Sequence, residues 1–483
     1  MLWILAWWAG IGMVSAGEVK RLATQLVNDS LRIDFWLDVQ EYRLSPARSY
    51  TFTPLLRGQG YLRELPPIVL TGARRYHFDR REEHLTIHTK APVVPYVRYV
   101  GREASRTDSI HYVYTLPYEE AMNGASFVLM RESKDCCELK LMGLDMVAAN
   151  VMRPGENSSR EDQAGKSCTP CIPCIPMVSY LPPKLERVKF RSRKAVIRID
   201  YPVNRYDVYP DYLNNARELQ KLDSLMPDED LAVIRSVDIR GYASPEGPYE
   251  HNVMLASRRA GKFADYMVEK YALPRSIFTV EWTPEDWEGL EELLKRNRPP
   301  HYEEALDIIR QYGVFEGRES QLMSLRGGTV YNRMKKEEFV WLRRIVVKIN
   351  YDVRGVTNEE AAELLHTDPS MLSLQEMYRL AWIYGPGTDS YREVYEIAAR
   401  QYPDDPVANI NAASAVIMSG DFRQAHRYLD HLKDDFRAWN DLGVLAMMEG
   451  DREAAEKWFR KALDVEPQRA LENLNKLMGD ETE

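Results

Sequence analysis

The sequence is poor in cysteine and in long apolar runs and has fewer basic than acidic residues, and each of these features argues against a class of protein. Its 483 residues include five cysteines, too few for a disulfide-dense scaffold. Lysine and arginine total 64 against 73 acidic residues, and the net charge of −9 gives no support for nucleic-acid binding. Beyond its first residues, no stretch predicts a membrane-spanning helix. The length suggests about three domains.

The common catalytic motifs are also missing. The sequence has no Gly-x-Ser-x-Gly, no His-Glu-x-x-His and no Walker loop, and its nine histidines are scattered. These absences predict a non-enzymatic protein with no cofactor, no metal and no small-molecule substrate. An enzyme acting on cell-wall material stays as an alternative, because catalytic groups can lie far apart in a sequence.

An apolar run opens the chain. It extends from Leu2 to Val14 and is followed by Ser15-Ala16-Gly17, a small-residue pattern typical of cleavage after Ala16. We therefore predict a signal peptide over residues 1–16, although no basic residue precedes the run, and an exported, periplasmic protein. A buried N-terminal strand or a short membrane anchor is the alternative.

Residues 17–147 predict a β-rich domain. Between Leu31 and Gln40, every second residue is apolar and alternates with Arg32, Asp34, Trp36, Asp38 and Gln40, as in a strand with one buried face. Further candidate strands follow at Thr51–Thr53, Ile110–Leu116, Ser126–Met130 and Leu139–Met146. An antiparallel β-sandwich of immunoglobulin-like size is the predicted fold.

The cysteines cluster at the end of this domain and in a predicted linker over residues 148–186. They are Cys136, Cys137, Cys168, Cys171 and Cys174, and a proline stands at every third step of the last run. Disulfides between the first pair and that run are expected in an oxidising compartment. Unpaired thiols are one alternative, and a metal site is another, although the run gives three ligands where zinc prefers four.

Residues 187–353 alternate predicted strands with predicted helices. The strand patterns lie at Ala195–Tyr201, Ile234–Ile239 and Arg343–Ile349, and helix patterns lie at Asn214–Leu225 and around Ala256–Tyr271. A longer connection at about 283–336 has two groups of helix-spaced apolar residues. This stretch predicts two further helices before the last strand.

Four short motifs of this region resemble those of a known protein family. They are Gly241-Tyr242 at the end of a strand, Asn252, the run Ser257-Arg258-Arg259-Ala260, and the closing Arg343-Arg344-Ile345-Val346. Together they resemble the OmpA-like periplasmic domain, over about a third of the chain. The resemblance implies a βαβαβ module of a Gram-negative envelope, associated with the outer membrane. In that family an aspartate and an arginine bind the diaminopimelate of the peptidoglycan stem peptide.

Carried over to this sequence, the resemblance names Ser244, Glu246, Asn252, Arg259 and Arg343 as the ligand pocket. Arg259 stands at the arginine position, but Ser244 stands at the aspartate position and cannot neutralise an ammonium group. Peptidoglycan binding is weakened unless Glu246 takes the aspartate's role. Asn252 has a second interpretation as a helix N-cap, and Arg259 has one as a surface arginine.

Residues 369–480 predict helices in repeating pairs. One unit carries Trp439, Leu442, Gly443, Ala455, Phe459 and Pro467 at fixed offsets, and this order resembles the tetratricopeptide repeat. The resemblance implies that Trp439 and Phe459 fill the space between two helices and that Pro467 ends the second. Weaker copies lie at 409–432 and 377–403. The pairs predict either a small helical bundle that only packs against the rest of the chain or a concave surface that binds a partner peptide.

These modules together predict an envelope adaptor or scaffold, with envelope or fimbrial proteins as partners. The β-rich domain, the OmpA-like module and the repeats would each face a different partner. One alternative is a structural or accessory subunit of a surface fibre, because a divergent subset of OmpA-like proteins with the same Gly-Tyr-Ala-Ser-Pro-Glu-Gly turn often lies beside fimbrial genes. Polymerisation by strand addition would then be expected.

Overall fold

The computed structural model describes residues 19–58, 61–85, 94–135, 139–148, 177–186, 188–202 and 205–479. Its compact units do not follow the order of the chain. One unit joins residues 1–189 with residues 355–483, and the other holds residues 190–354. The predicted signal peptide, residues 1–16, and all five cysteines lie outside the described residues.

The N-terminal region is β-rich and built mainly from antiparallel sheets. Strands β1, β2 and β7 form one sheet, and β6-β5-β3-β8-β9 form a second, with β4 beside β3. The elements are β1 (Val19–Val27), β2 (Ser30–Asp38), β3 (Ser49–Gly58), β4 (Tyr61–Glu64), β5 (Ile68–Thr71), α1 (Ala73–Leu85), β6 (Val97–Val100), β7 (Ser109–Pro117), β8 (Ser126–Lys134) and β9 (Leu139–Ala148). Strands β5 and β6 pair in parallel, because α1 lies between them and returns the chain to the same end of the sheet.

The alternation in β2 places one of its faces in a shared core. Leu31, Ile33, Phe35 and Leu37 are fully buried, whereas the residues between them are half-buried or exposed. Phe35 stacks on Tyr112 of β7 and packs edge-on against a phenylalanine of β8. The two sheets therefore bury their facing surfaces in a single apolar cluster.

The middle unit is a four-stranded sheet with helices. The sheet order is β10-β13-β11-β12, with β11 parallel to β12 and antiparallel to β13. Its elements are β10 (Lys189–Ile197), α2 (Asn215–Asp223), β11 (Ala232–Tyr242), α3 (Tyr249–Tyr271), β12 (Phe278–Thr283), α4 (Trp287–Asn297), α5 (Tyr302–Gln311), α6 (Arg318–Ser324), α7 (Thr329–Glu337), α8 (Phe339–Leu342) and β13 (Ile345–Val353). Helix α3 packs so closely on β11 that a Cβ at Gly241 would lie 2.7 Å from the carbonyl oxygen of Ala256.

The stretch at about 283–336 holds more helices than the two expected from the sequence. Helices α4, α5, α6 and α7 follow one another there, and they share an apolar cluster with α8. The predicted apolar groups belong to α4 and α5, while α6 and α7 are short and separated by Gly327 and Gly328 in left-handed conformations. Helices of two turns give too few apolar repeats for periodicity to detect.

The C-terminal region is helical. Its helices are α9 (Asn358–Thr367), α10 (Leu374–Tyr384), α11 (Asp389–Gln401), α12 (Pro406–Met418), α13 (Phe422–Leu429), α14 (Trp439–Met448), α15 (Arg452–Ala462) and α16 (Pro467–Gly479). Helices α10 and α11, α12 and α13, and α14 and α15 pack as successive pairs. We call α10, α12 and α14 the first helices of these pairs.

The predicted packing residues lie within and beside the last pair. Leu442, Ala455 and Phe459 are buried, and a Cβ at Gly443 would lie 2.5 Å from the Phe459 ring, so a glycine lets the helices approach. Trp439 begins α14 and packs, partly buried, at the edge of this cluster. The role expected for Pro467 is wrong. It is the first residue of α16 rather than the end of α15, and a proline fits there because the first turn needs no N–H donor.

The second face of the larger sheet packs on the C-terminal helices. Arg57 of β3 donates to the carbonyl oxygen of Ile383 in α10 at 2.5 Å, and Glu64 accepts from the backbone and side chain of Asn358 at the start of α9. Ile383 shares an apolar cluster with Leu55, Val128 and Met130 of the sheet. The β-rich region and the helical pairs are therefore one folded unit.

Candidate functional site

A small pocket in the middle unit contains three arginines. They reach it from α3 and from the residues that lead into β13, and the glycine–tyrosine pair at the end of β11 forms one wall. The residues that line it are Ile199, Tyr201, Gly241, Tyr242, Arg259, Arg343, Arg344 and Ile345. Of the five residues that the resemblance named, Arg259 and Arg343 line the pocket, whereas Ser244, Glu246 and Asn252 do not. None of these eight lining residues comes from the helical stretch at 283–336.

Two of the three arginines are neutralised by carboxylates. Arg343 donates to Ser244 Oγ at 3.2 Å and forms an ion pair with Glu246. Arg344 lies 2.8 Å from a carboxylate oxygen of the buried Asp286, which also caps helix α4. These two pairs cancel most of the positive charge on one side of the pocket.

Arg259 is the arginine that keeps its charge uncompensated. Its guanidinium lies over the ring of Tyr201, 4.7 Å from the ring centroid. Within the described chain its Nε is buried without a hydrogen-bond partner, and no carboxylate lies within ion-pair distance. Burial lowers the pKa of Arg259 from its usual value, as expected for a cation removed from water. The pocket thus presents one desolvated positive charge to an anion.

The other predicted pocket residues support the turn between β11 and α3. Ser244 is buried and bonds to Arg343, and Glu246 also lies 3.8 Å from Lys335. Asn252 donates to the carbonyl oxygen of Glu246 at 3.2 Å inside the first turn of α3, so it is not the N-cap of that helix. Glu246 is engaged by two cations, and its carboxylate is not available to an ammonium group.

A second candidate site lies along the helical pairs. The segment Met177–Leu181, which belongs to no helix or strand, passes beside α16, α14 and α12. Asn473 accepts from Met177 N at 2.8 Å and donates to Met177 O at 3.0 Å. Asn411 makes the same pair of bonds with Leu181, at 2.7 and 2.8 Å. Two asparagines therefore each satisfy both backbone groups of one residue.

The residue between these two anchors is held at its backbone and its side chain. Ser179 N donates to Asp441 at 2.6 Å, and Ser179 O accepts from Ser414 Oγ at 2.7 Å. Its hydroxyl donates to Glu466 at 2.8 Å and accepts from Asn440 at 3.0 Å. Ser179 has no exposed surface. We call the surface formed by Asn411, Ser414, Asn440, Asp441 and Asn473 the helical groove.

Asp441 is the titratable group at the centre of the helical groove. Burial raises its pKa to about 7, against the opposing effect of its hydrogen bonds with Ser414 and Ser179. Asp441 accepts hydrogen bonds from Ser414 Oγ, Ser179 N and Asn440 Nδ2, and such donors favour the charged carboxylate. Burial outweighs these bonds and shifts Asp441 toward its neutral form.

No protein-family model matches this chain, and the comparison with curated proteins found no match either. Within the described residues, no helix is both long and apolar enough to cross a membrane. In the same residues, no three or more histidine, cysteine or acidic side chains are grouped as metal ligands. The case for function therefore depends on the geometry of the pocket and the groove.

Sequence reasoning missed several residues of both sites. Tyr201 lies under the Arg259 guanidinium, whereas the sequence predicts it only as the end of a strand, and β10 already ends at Ile197. The groove residues Asn411, Asn440 and Asn473, which belong to α12, α14 and α16, are not predicted from the sequence. Asparagines among the buried residues of these three helices are the signal that was available.

Proposed function

We propose that this protein is a non-enzymatic adaptor of the cell envelope, in the periplasm and associated with the outer membrane. Its middle unit acts as an OmpA-like module that binds an anionic group of the cell wall through Arg259. Its C-terminal helices act as tetratricopeptide-like repeats that bind a protein partner. The observation that carries the proposal is the single uncompensated, desolvated charge of Arg259 in a pocket.

The chemistry of the pocket supports a carboxylate as the ligand group. A guanidinium binds a carboxylate through two parallel hydrogen bonds, and the unpartnered Nε of Arg259 is one of the donors needed. Peptidoglycan stem peptides offer free carboxylates. The ammonium group of a zwitterionic ligand finds no free carboxylate here, because Glu246 is already paired with Arg343 and Lys335. The expected contact is therefore to the carboxylate alone.

Cosedimentation of the full chain with purified peptidoglycan tests this role. Arg259→Ala should weaken binding about ten- to hundredfold, because charge-assisted hydrogen bonds contribute about 1.5–3 kcal/mol. Arg259→Lys keeps the charge and loses the planar fork, so it should fall between the wild type and alanine. Blocking the free carboxylates of the wall by amidation should have the same effect as Arg259→Ala.

Arg258→Ala is the matched control. Arg258 is the neighbouring residue on α3, but it lies over the Tyr206 ring, 5.2 Å from the centroid, and does not line the pocket. Its loss should leave binding unchanged. The proposal is refuted if the wild-type chain is not retained by peptidoglycan, or if both arginine variants lose binding equally.

A further inference from the structure

The segment Met177–Leu181 is bound in the manner of a ligand rather than as an element of the fold. Within the described residues, it forms no backbone-to-backbone hydrogen bond. Instead, side chains of the helices form hydrogen bonds with its backbone at every second residue, as a receptor does with an extended peptide. Backbone groups of Val178 and Tyr180, which lie between the anchors, have no hydrogen bond in the described chain.

The helical groove is built to be occupied. Asn411, Asn440, Asp441 and Asn473 are at most 1% exposed, and Ser414 is fully buried. Buried amide and carboxyl groups need hydrogen-bond partners, and most of the partners of these five residues are backbone atoms of the segment. An apolar surface would serve better if the groove only had to pack against another helix.

The groove also selects side chains. Ser179 is fully enclosed, so a larger side chain at that position would collide with the groove. Tyr180 packs against the rings of Tyr391 and Tyr395, with centroids 5.8 and 5.5 Å away. Val178 and Leu181 pack on the apolar cluster of the helices. The preferred ligand is an extended, uncharged peptide with a small hydroxyl residue followed by an aromatic and an aliphatic residue.

We propose that the helical groove is a receptor site for such a peptide and that Met177–Leu181 is its ligand in cis, which holds the site closed to an external partner. The inference rests on the part of the proposed function that assigns a protein partner to the C-terminal helices. It is independent of Arg259, so the two proposals fail separately. A tethered ligand acts at an effective concentration on the order of 1 mM and excludes weaker competitors.

The test compares the closed full chain with an opened one. Ser179→Pro together with Leu181→Pro removes the two backbone donors that bond to Asp441 and Asn411, and it leaves every residue of the groove in place. The probe is a fluorescent peptide with the sequence of residues 177–184, measured by anisotropy. With a peptide dissociation constant on the order of 10 µM, the opened chain should bind it about a hundredfold more tightly than the wild type.

Two controls keep the result specific. Val178→Pro changes a neighbouring residue whose N–H makes no hydrogen bond in the described chain, so it should leave the groove closed. Asn411→Ala, added to the opened chain, should weaken peptide binding at least tenfold. The inference is overturned if the opened chain, shown by circular dichroism to be folded, does not bind the peptide, or if the wild type binds it equally well.

A measurement on the wild-type chain covers the case in which the opened chain does not fold. Hydrogen exchange should show protected amides at Ser179 and Leu181 that become unprotected when the unlabelled peptide is added above about 1 mM. Protection that stays unchanged at several times this concentration would overturn the inference. The segment would then be a permanent part of the fold.

Discussion

The buried carboxyl group of Asp441 should make the free energy of unfolding depend on pH, and we expect Asp441→Asn to remove this dependence. Burial raises the pKa of Asp441 from 3.8 to about 7. Between about pH 4 and pH 7 the folded chain keeps a proton on this group, whereas the unfolded chain has lost it. The contribution of Asp441 to the free energy of unfolding is therefore largest below about pH 4. It falls as the pH rises and is constant above about pH 7.

The size of this effect follows from the difference in pKa. About three pKa units correspond to about 4 kcal/mol, at about 1.4 kcal/mol per unit. Asparagine has the same shape and carries neither a charge nor a titrating proton, so its contribution to stability does not change across this pH range. The free energy of unfolding of the variant, minus that of the wild type, should rise by about 4 kcal/mol between pH 4 and pH 7.

Urea denaturation followed by far-ultraviolet circular dichroism, repeated across this pH range, measures that difference. Other titrating groups are common to both chains and cancel. Asp435→Asn is the control of opposite sign, because a hydrogen bond from Arg437 lowers the pKa of Asp435. The difference for that variant should fall as the pH rises toward about 4 and stay flat between pH 4 and pH 7, because the pKa of Asp435 is lowered from its usual 3.8. A flat or falling difference for Asp441→Asn would refute the account of the buried carboxyl group.

Four further single substitutions test charge and packing. Lys189 and Glu376 form a buried ion pair at 2.9 Å. Lys189→Met or Glu376→Leu should each lower the free energy of unfolding by about 3–5 kcal/mol, because each leaves the other charge buried and unpaired. The double variant should lose less than the sum of the two, and additive losses would contradict this pairing. Gly443→Ala should destabilise by about 1–3 kcal/mol, because its Cβ would collide with Phe459, whereas Gly261→Ala on α3 meets open space and should stabilise by about 0.5–1 kcal/mol. Equal effects of the two glycine substitutions in urea titrations would contradict the collision.

Short-range patterns in the sequence predicted some of the elements but not their assembly. The strict alternation around Phe35 and the helix-spaced alanines of α3 gave β2 and the buried face of α3 correctly, because each pattern depends on neighbours a few residues away. The packing of the sheet on the C-terminal helices was not predictable in this way. Arg57 and Ile383 meet across 326 positions of sequence, and no local pattern reports such a contact.

The pocket shows the same limit at the level of single residues. Arg259 could be named from a motif, but whether a carboxylate compensates its charge depends on which arginines the nearby carboxylates pair with. Glu246 was expected to be available to a ligand, and instead it pairs with Arg343, a residue 97 positions away in the chain. Lys335 adds a second cation from the helical stretch. Electrostatic pairing is decided by the folded geometry, so a sequence alone leaves it open.

The joining of the first and last parts of the chain has a consequence for biosynthesis. The sheet face that carries Leu55, Val128 and Met130 is completed by Ile383, which is made only after the whole middle unit. Until then this apolar face has no cover, and loops of this length close slowly. An emerging or truncated chain should therefore depend on holding factors that mask the sheet, and chains that stop before α10 should aggregate through that face.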